Sequence, residues 1–153
     1  KMKLKLNNVS VFSEEKEKFC SEKTKENEDS FFISISREEG FLFGVADGVG
    51  SYKGAKEASN FVCNYIPNIS DLNHNYLEHS LRKDLNENFE EYIKGLSTDY
   101  FRASTTLSFC FLNDDGLSIW HAGDSRIYIK KGNKLVQLTN DHTEYQELLD
   151  QKI

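Results

Sequence analysis

Acidic residues in this 153-residue chain lie where predicted strands begin or end. Asp47 follows the apolar run 41–46 and opens a glycine-rich bend, while Glu28 and Asp29 come just before the strand upstream. If these two strands pair as a hairpin, antiparallel pairing places the start of one beside the end of the other. A further acid, Asp124, falls at a break between two later strands. Carboxylate oxygens suit hard divalent cations, so the pattern predicts a Mg²⁺ or Mn²⁺ site.

The same acids can also be interpreted as turn residues. Asp before Gly is common in turns because Asp tolerates the backbone angles that turns require. A strand, a glycine-rich bend and a helix are also the layout of a dinucleotide-binding fingerprint. However, Gly48, Gly50 and Gly54 miss that spacing by one residue, and Asp47 would repel a pyrophosphate. The spacing therefore disfavours a nucleotide site but leaves the turn interpretation open.

Histidines and cysteines offer little further chemistry. His74 and His79 are five residues apart, so they do not share a helical face as a zinc pair would. We expect His121 to be packed in an apolar strand and His142 to have a structural role. The three cysteines are odd in number and form no CxxC pair, which favours reduced thiols and a cytoplasmic location.

The elements that must position the acids follow from periodicity. Apolar and polar residues alternate over 31–36, which predicts a strand. The continuous apolar run 41–46 is typical of a strand buried on both faces. Helical spacing predicts one helix over 55–66, ended by Pro67, and a second over 77–96.

Strands return in the second half of the chain, and the order of elements predicts an α+β fold. A helix is predicted at 141–152 and an additional strand at 2–12. Alternating patterns and turn residues predict further strands at 105–112, 117–122, 126–130 and 134–138.

Composition excludes several classes of protein. Hydrophobic residues make up 38% and aromatic residues 12% of the chain, which argues against disorder. The net charge of −6 disfavours nucleic acid as a partner, because the chain would repel phosphates on average. No apolar run is long enough for a membrane span, so no membrane partner is expected.

Five segments carry a resemblance to a known family. They are Asn27-Glu28-Asp29-Ser30-Phe31, Val45-Ala46-Asp47-Gly48-Val49-Gly50 followed by Gly54 and Ala58-Ser59, Ser104-Thr105-Thr106, His121-Ala122-Gly123-Asp124-Ser125-Arg126-Ile127-Tyr128, and Gln137-Leu138-Thr139-Asn140-Asp141-His142. In this order they resemble the motifs of the metal-dependent PP2C (PPM) protein phosphatases. The resemblance implies an α-β-β-α sandwich of antiparallel sheets that hydrolyses phosphoserine or phosphothreonine through a metal-activated water.

The resemblance also implies roles for the acids. Asp47 would be the catalytic carboxylate that bridges two Mg²⁺ or Mn²⁺ ions, beside the Gly48 carbonyl. Glu28 and Asp29 would bind metal directly or through water, and Asp124 matches an acid that some members use for a third metal.

Two positions depart from the family pattern. Thr24 stands where the family commonly has an arginine that binds phosphate, so Lys23 and Lys25 are the phosphate-binding candidates. A lysine replaces that arginine only in part, because it is a point charge and not a bidentate fork. Val49 stands where many eukaryotic members have a histidine. An apolar residue at this position is typical of bacterial members.

The family continues past the segment that matches 148–153, into two aspartate motifs with no counterpart in this sequence. We therefore expect residues 1–153 to be a single PP2C-like domain, incomplete at its C-terminus and weakly active or inactive alone. The alternative is a pseudophosphatase or phosphoprotein-binding module without turnover. The resemblance implies a phosphoprotein substrate and a cognate Ser/Thr kinase as partners, while the oligomeric state stays open.

Overall fold

A four-stranded antiparallel sheet lies at the centre of the computed structural model, which describes residues 26–36, 40–70, 72–114, 116–143 and 146. Its strands, adjacent in chain order, are β1 (Asp29–Ser36), β2 (Gly40–Asp47), β3 (Leu107–Asn113) and β4 (Gly116–Ala122). A separate two-stranded sheet consists of β5 (Tyr128–Lys131) and β6 (Lys134–Gln137). Every strand pair in these ranges is antiparallel, which excludes the parallel sheet of a dinucleotide-binding domain.

The helices lie between β2 and β3 in the chain. They are α1 (Ala55–Tyr65), α2 (His74–His79) and α3 (Leu81–Leu96), with 3₁₀ turns at Ile66–Asn68 and Thr98–Tyr100. None of the helices in the described ranges is long and apolar enough to cross a membrane.

The prediction of one continuous helix over 77–96 is wrong. The chain breaks at Ser80 and starts again, with the Ser80 carbonyl accepting hydrogen bonds at 3.1 Å from the N–H groups of Lys83 and Asp84. Serine is neutral to unfavourable inside helices, although the Ser80 side chain itself makes no capping hydrogen bond. Leu77 and Leu81, on either side of the break, are both buried.

The predicted hairpin and the later strands are confirmed, with shifted boundaries. The strands expected at 105–112 and 126–130 begin two residues later, at Leu107 and Tyr128. Just before them, the Thr106 hydroxyl accepts from the Asp47 N–H, and the Ile127 N–H donates to the Thr139 hydroxyl. The strand predicted at 2–12 lies outside the described residues, as does most of the helix predicted at 141–152, and residues 141–143 are not helical.

The core lies between one face of the sheet and the helices. Phe32 and Phe109 project from the strands towards Val62 and Leu81 of the helices. The Phe32 and Phe109 rings are 6.2 Å apart, and Trp120 stacks on Phe109 at 5.8 Å. This layer of helices on antiparallel strands confirms the predicted α+β class.

The opposite face of the sheet is more open. Phe31 is 49% and Val45 is 46% exposed, and Ile33 is exposed as well. The prediction that the run 41–46 is buried on both faces is therefore wrong at Val45, since α1 packs against the side that holds Leu42.

We predict that Phe109→Ala lowers the free energy of unfolding by about 3–5 kcal/mol, because the lost ring leaves a cavity. Phe109 is 1% exposed, and the matched control Phe101→Ala removes a ring that is 81% exposed. The control should change stability by less than about 0.5 kcal/mol. Urea unfolding followed by circular dichroism measures both, and equal losses would contradict this account of the core.

Candidate metal centre

The β1–β2 hairpin places two carboxylates side by side. Asp29, the first residue of β1, is directly opposite Asp47, the last residue of β2. Residues opposite each other in an antiparallel pair project to the same face of the sheet. The pairing continues one step further, because the Gly48 N–H donates to the Glu28 carbonyl at 3.1 Å. The hairpin thus holds Glu28, Asp29 and Asp47 at one edge, as the sequence predicts.

The pKa of Asp47 is raised above its ordinary value. Partial burial is the largest cause, followed by the charge of Asp29 and a hydrogen bond with its carboxyl group. The charges of Asp124 and Glu28 raise this pKa further. A like charge disfavours ionisation of its neighbour, so the other three predicted acids are all close enough to repel Asp47. A divalent cation is the kind of group that would relieve this repulsion.

The acids fit a hard cation in chemistry, but they do not converge on one point. Across the described ranges, no three His, Cys, Asp or Glu side chains form a group that could hold a metal ion. A pocket of about 230 Å³ at this edge leaves space for water, several molecules of which Mg²⁺ usually retains. Its lining residues are Asp29, Ser30, Phe31, Val45, Ala46, Asp47 and Ser125. The acids therefore fit Mg²⁺ or Mn²⁺ with water as part of the coordination, and their role as ligands stays a prediction.

The loop that carries Asp124 is anchored on both sides of that residue. Gly123 has φ +107°, and a Cβ there would lie 2.7 Å from Cγ2 of Thr106, so a side chain is excluded. Ser125 follows, with its hydroxyl 2.6 Å from Thr106 Oγ1 and its carbonyl accepting from Ser108 Oγ at 2.6 Å. These contacts explain how a residue from a distant part of the chain comes within electrostatic range of the hairpin.

Thr106 belongs to one of the five family-like segments, but the sequence assigns it no role; in the structure it is a positioning residue. Its Oγ1 accepts a hydrogen bond from the Asp47 N–H at 3.0 Å, which leaves its hydroxyl proton for Ser125. The Thr106 N–H and Thr105 Oγ1 donate to the Asp47 carbonyl at 2.9 Å and 3.0 Å. Both backbone groups of Asp47 are thus held by this pair of threonines. The signal was present as two adjacent hydroxyl residues before β3, but nothing in sequence links them to Asp47.

Gly48 occupies a position where a side chain does not fit. A Cβ on Gly48 would lie 2.2 Å from the carbonyl oxygen of Ala55, so the bend packs directly on the start of α1. Gly48 also pairs with Thr105 in an isolated antiparallel β-bridge. That its carbonyl contacts a metal stays a prediction.

The two histidines near this loop have structural contacts. His121 Nε2 lies 2.9 Å from the Asn140 carbonyl, which only accepts, so this nitrogen donates. The other ring nitrogen lies 2.8 Å from Ser108 Oγ. The Gly123 N–H donates to His142 Nδ1 at 3.3 Å, and the His142 N–H donates to the Gly123 carbonyl at 2.8 Å. These bonds fit the packed and structural roles that the sequence predicts.

Among the described residues, the cysteines add no nucleophile to this site, and neither of the predicted phosphate-binding lysines is among these residues. Cys63 and Cys110 are free and buried, and burial raises the pKa of the Cys63 thiol to about 12, which disfavours a thiolate nucleophile. The predicted phosphate-binding residues Lys23 and Lys25 lie outside the described residues.

Comparison with known proteins places the chain in one family. The family model described as Protein phosphatase 2C matches residues 18–149. A Mycoplasma pneumoniae protein whose name assigns it to the protein phosphatases is 28% identical over 138 residues, which cover 82% of this chain and 53% of that protein. Serine/threonine phosphatase stp from Listeria welshimeri is 28% identical over 130 residues, which cover 80% of this chain and 52% of that protein. The chain therefore spans about half the length of the curated relatives it matches.

The fold is shared with solved phosphatase structures. The crystal structure of serine/threonine phosphatase Stp1 from Staphylococcus aureus superposes with a TM-score of 0.71 at 26% identity. The match covers 84% of this chain and 54% of the Staphylococcus aureus chain. The predicted architecture of antiparallel sheets with helices is confirmed by this likeness.

We predict that Thr106→Val destabilises the protein by about 1–3 kcal/mol, because the Asp47 N–H loses its acceptor. Amide hydrogen exchange measured by NMR should show faster exchange at Asp47 in this variant. Thr106→Ser is the matched control, since it keeps the hydroxyl and should preserve the protection of the Asp47 amide. Equal protection in both variants would contradict the role assigned to Thr106.

We also predict that stability depends on pH through the ion pair between Arg126 and Asp141. Arg126 Nε donates to both Asp141 oxygens at 2.9 Å and 3.0 Å, and these hydrogen bonds hold the pKa of Asp141 below its ordinary value. A lowered pKa means that the stabilisation is complete above the unfolded value of about 3.9 and is lost as the pH falls below it. Asp141→Asn should therefore lower Tm at pH 7 and have a diminishing effect below about pH 4. An equal difference in Tm at both pH values would contradict this.

Proposed function

Because this chain belongs to the protein phosphatase 2C family, we propose that it supplies part of the metal centre of a bacterial Ser/Thr protein phosphatase. The observation that carries the proposal is the pairing of Asp29 with Asp47 at the end of the hairpin. The charges of Glu28 and Asp124 act on the same carboxyl group. The reaction is hydrolysis of phosphoserine or phosphothreonine in proteins, without a covalent enzyme intermediate.

The residues that would hold Mg²⁺ or Mn²⁺ are Glu28, Asp29, Asp47 and Asp124, with the Gly48 carbonyl as a further oxygen ligand. Two cations are proposed, with a third at Asp124. When bound, such ions lower the pKa of a coordinated water and neutralise phosphoryl oxygens.

The protein's own contribution is positioning. The Thr105 and Thr106 contacts with the Asp47 backbone fix the start of its side chain, so that little reorganisation is needed when charge develops nearby. Phe31 and Val45 supply the apolar part of the pocket lining beside the carboxylates. Lys23 and Lys25 stay the proposed phosphate-binding residues.

The proposed partners follow from the reaction. The substrate is a phosphoprotein, and the kinase that phosphorylates it is a natural functional counterpart. We propose a cytoplasmic location, which suits the buried thiols of Cys63 and Cys110.

A phosphoprotein-binding module without turnover is the second candidate. It is favoured by the incomplete convergence of the carboxylates within the part of the chain that the structure describes. Such a module would bind a phosphopeptide and release no phosphate.

We predict that Asp47→Asn lowers Mn²⁺-dependent phosphate release from a phosphothreonine peptide by more than about 100-fold. Loss of a residue that only supports a metal ligand costs about 10-fold to 100-fold, and loss of a ligand itself should cost more. Removing one negative charge from the predicted bridging position weakens metal binding directly. Asp114→Asn, in the exposed turn between β3 and β4, is the matched control and should retain full activity.

Both the 153-residue chain and the complete gene product serve as the starting protein in this test. Unchanged activity of Asp47→Asn would overturn the assignment of the metal centre. Peptide binding without phosphate release by the complete gene product would instead favour the binding module.

A further inference from the structure

A basic and aromatic surface lies beside the candidate metal centre and has no role in the function proposed above. We call it the rim patch and define it as Tyr52, Phe101 and Arg102. Tyr52 belongs to the glycine-rich bend after β2, while Phe101 and Arg102 belong to the loop before β3. The patch therefore joins two segments that are distant in sequence.

Backbone hydrogen bonds tie both segments to the metal centre. The Val49 N–H donates to the Ser104 carbonyl at 2.9 Å, and the Tyr52 N–H donates to the Val49 carbonyl at 3.0 Å. Thr105, which donates to the Asp47 carbonyl, follows Arg102 by three residues. Three residues span at most about 11 Å, so the patch lies within reach of a short peptide bound at Asp47.

Arg102 is held against Tyr52 and forms no ion pair with a carboxylate among the described residues. Its guanidinium lies over the Tyr52 ring, 4.6 Å from the centroid, and donates to the Tyr52 hydroxyl at 3.3 Å. No carboxylate in the described ranges lies within 4.0 Å of it, whereas the neighbouring Lys53 is paired with Asp99 at 2.8 Å. A guanidinium has five N–H donors in a planar fork, and most of them are left for a partner.

Phe101 is the most exposed large hydrophobic residue in the described ranges, at 81%. The loop that presents it is well supported. The Ala103 N–H donates to the Tyr100 carbonyl at 2.8 Å, and both residues pack on Gly54, where a Cβ would approach Tyr100 to 2.9 Å. Aromatic residues and arginine are enriched at protein interfaces, so an exposed Phe101 that neighbours Arg102 in sequence favours a recognition surface.

We propose that the rim patch binds the peptide segment that flanks the phosphorylated residue of the substrate. Arg102 takes an acidic side chain through paired N–H···O hydrogen bonds, and Phe101 packs against an apolar side chain next to it. An acidic side chain is favoured by charge complementarity with Arg102, which pairs with no carboxylate in the described ranges. The inference rests on the proposed function and gives it a preference for acidic flanking sequences.

The test compares two phosphothreonine peptides that differ only by Glu or Gln at one flanking position, together with p-nitrophenyl phosphate as a substrate without flanks. The complete gene product with Mn²⁺ is assayed for kcat/KM as the unmodified protein, Arg102→Gln and Arg102→Lys. Arg82→Gln on the exposed face of α3 is the matched control for loss of a surface arginine.

We expect the unmodified protein and Arg82→Gln to prefer the Glu peptide. Arg102→Gln should reduce that preference by up to about fivefold, the upper limit for an exposed ion pair, and Arg102→Lys should keep part of it. Phe101→Ala should weaken binding of peptides with an apolar flank and leave the melting temperature unchanged.

Two results would overturn the inference while leaving the proposed function intact. One is an unchanged preference in Arg102→Gln. The other is an equal loss on p-nitrophenyl phosphate and on the Glu peptide, which would mean that the guanidinium acts on the phosphoryl group and not on the flank. If the unmodified protein hydrolyses none of the substrates, the proposed function fails. Fluorescence polarisation of the same labelled peptides then decides the inference, which is rejected if Arg102→Gln binds both peptides as the unmodified protein does.

Discussion

The repulsion between Asp29 and Asp47 is the constraint around which this end of the molecule is organised. Antiparallel pairing of β1 and β2 places the two carboxylates opposite each other, and hydrogen bonding at Gly48 keeps Glu28 at the same edge. Partial burial and the neighbouring charges raise the pKa of Asp47, so the arrangement costs free energy until a cation or a proton compensates it. A fold that retains such a cost at a pocket is typical of a functional site.

Hydroxyl groups at and just before the start of β3 connect this pair of carboxylates to the rest of the fold through hydrogen bonds. Thr106 holds the Asp47 N–H on one side and Ser125 on the other, so a single side chain links the hairpin to the loop of Asp124. Ser108 adds a contact with the Ser125 carbonyl, and it lies beside His121 as well. The helices contribute from the other side of the sheet, where Ala55 packs on Gly48 and Phe109 fills the core. The segment that begins at Thr106 and continues into β3 therefore contributes both to the core, through Phe109, and to the geometry of the site, through Thr106 and Ser108.

Sequence patterns were reliable where one local rule decides the outcome. The hairpin, the end of α1 before Pro67 and the β3–β4 turn each depend on neighbours in the chain, and each forms as predicted. The break at Ser80 was missed because the leucine spacing continues through it, with Leu77 and Leu81 buried on either side. Burial of Val45 was overestimated because an apolar run does not reveal whether a second layer covers it.

The sequence by itself determined which atoms are available: carboxylates at strand ends, a glycine where a side chain would collide with Ala55, and motifs in the order of the protein phosphatase 2C family. The tertiary structure alone decided which of them meet. Asp124 comes within range of Asp47 through Thr106 and Ser125, and Arg102 is oriented by the ring of Tyr52, across fifty residues of chain. The physical reason is that periodicity encodes the face on which a side chain lies, whereas contacts between distant segments depend on how the sheet, the bend and the loops pack together.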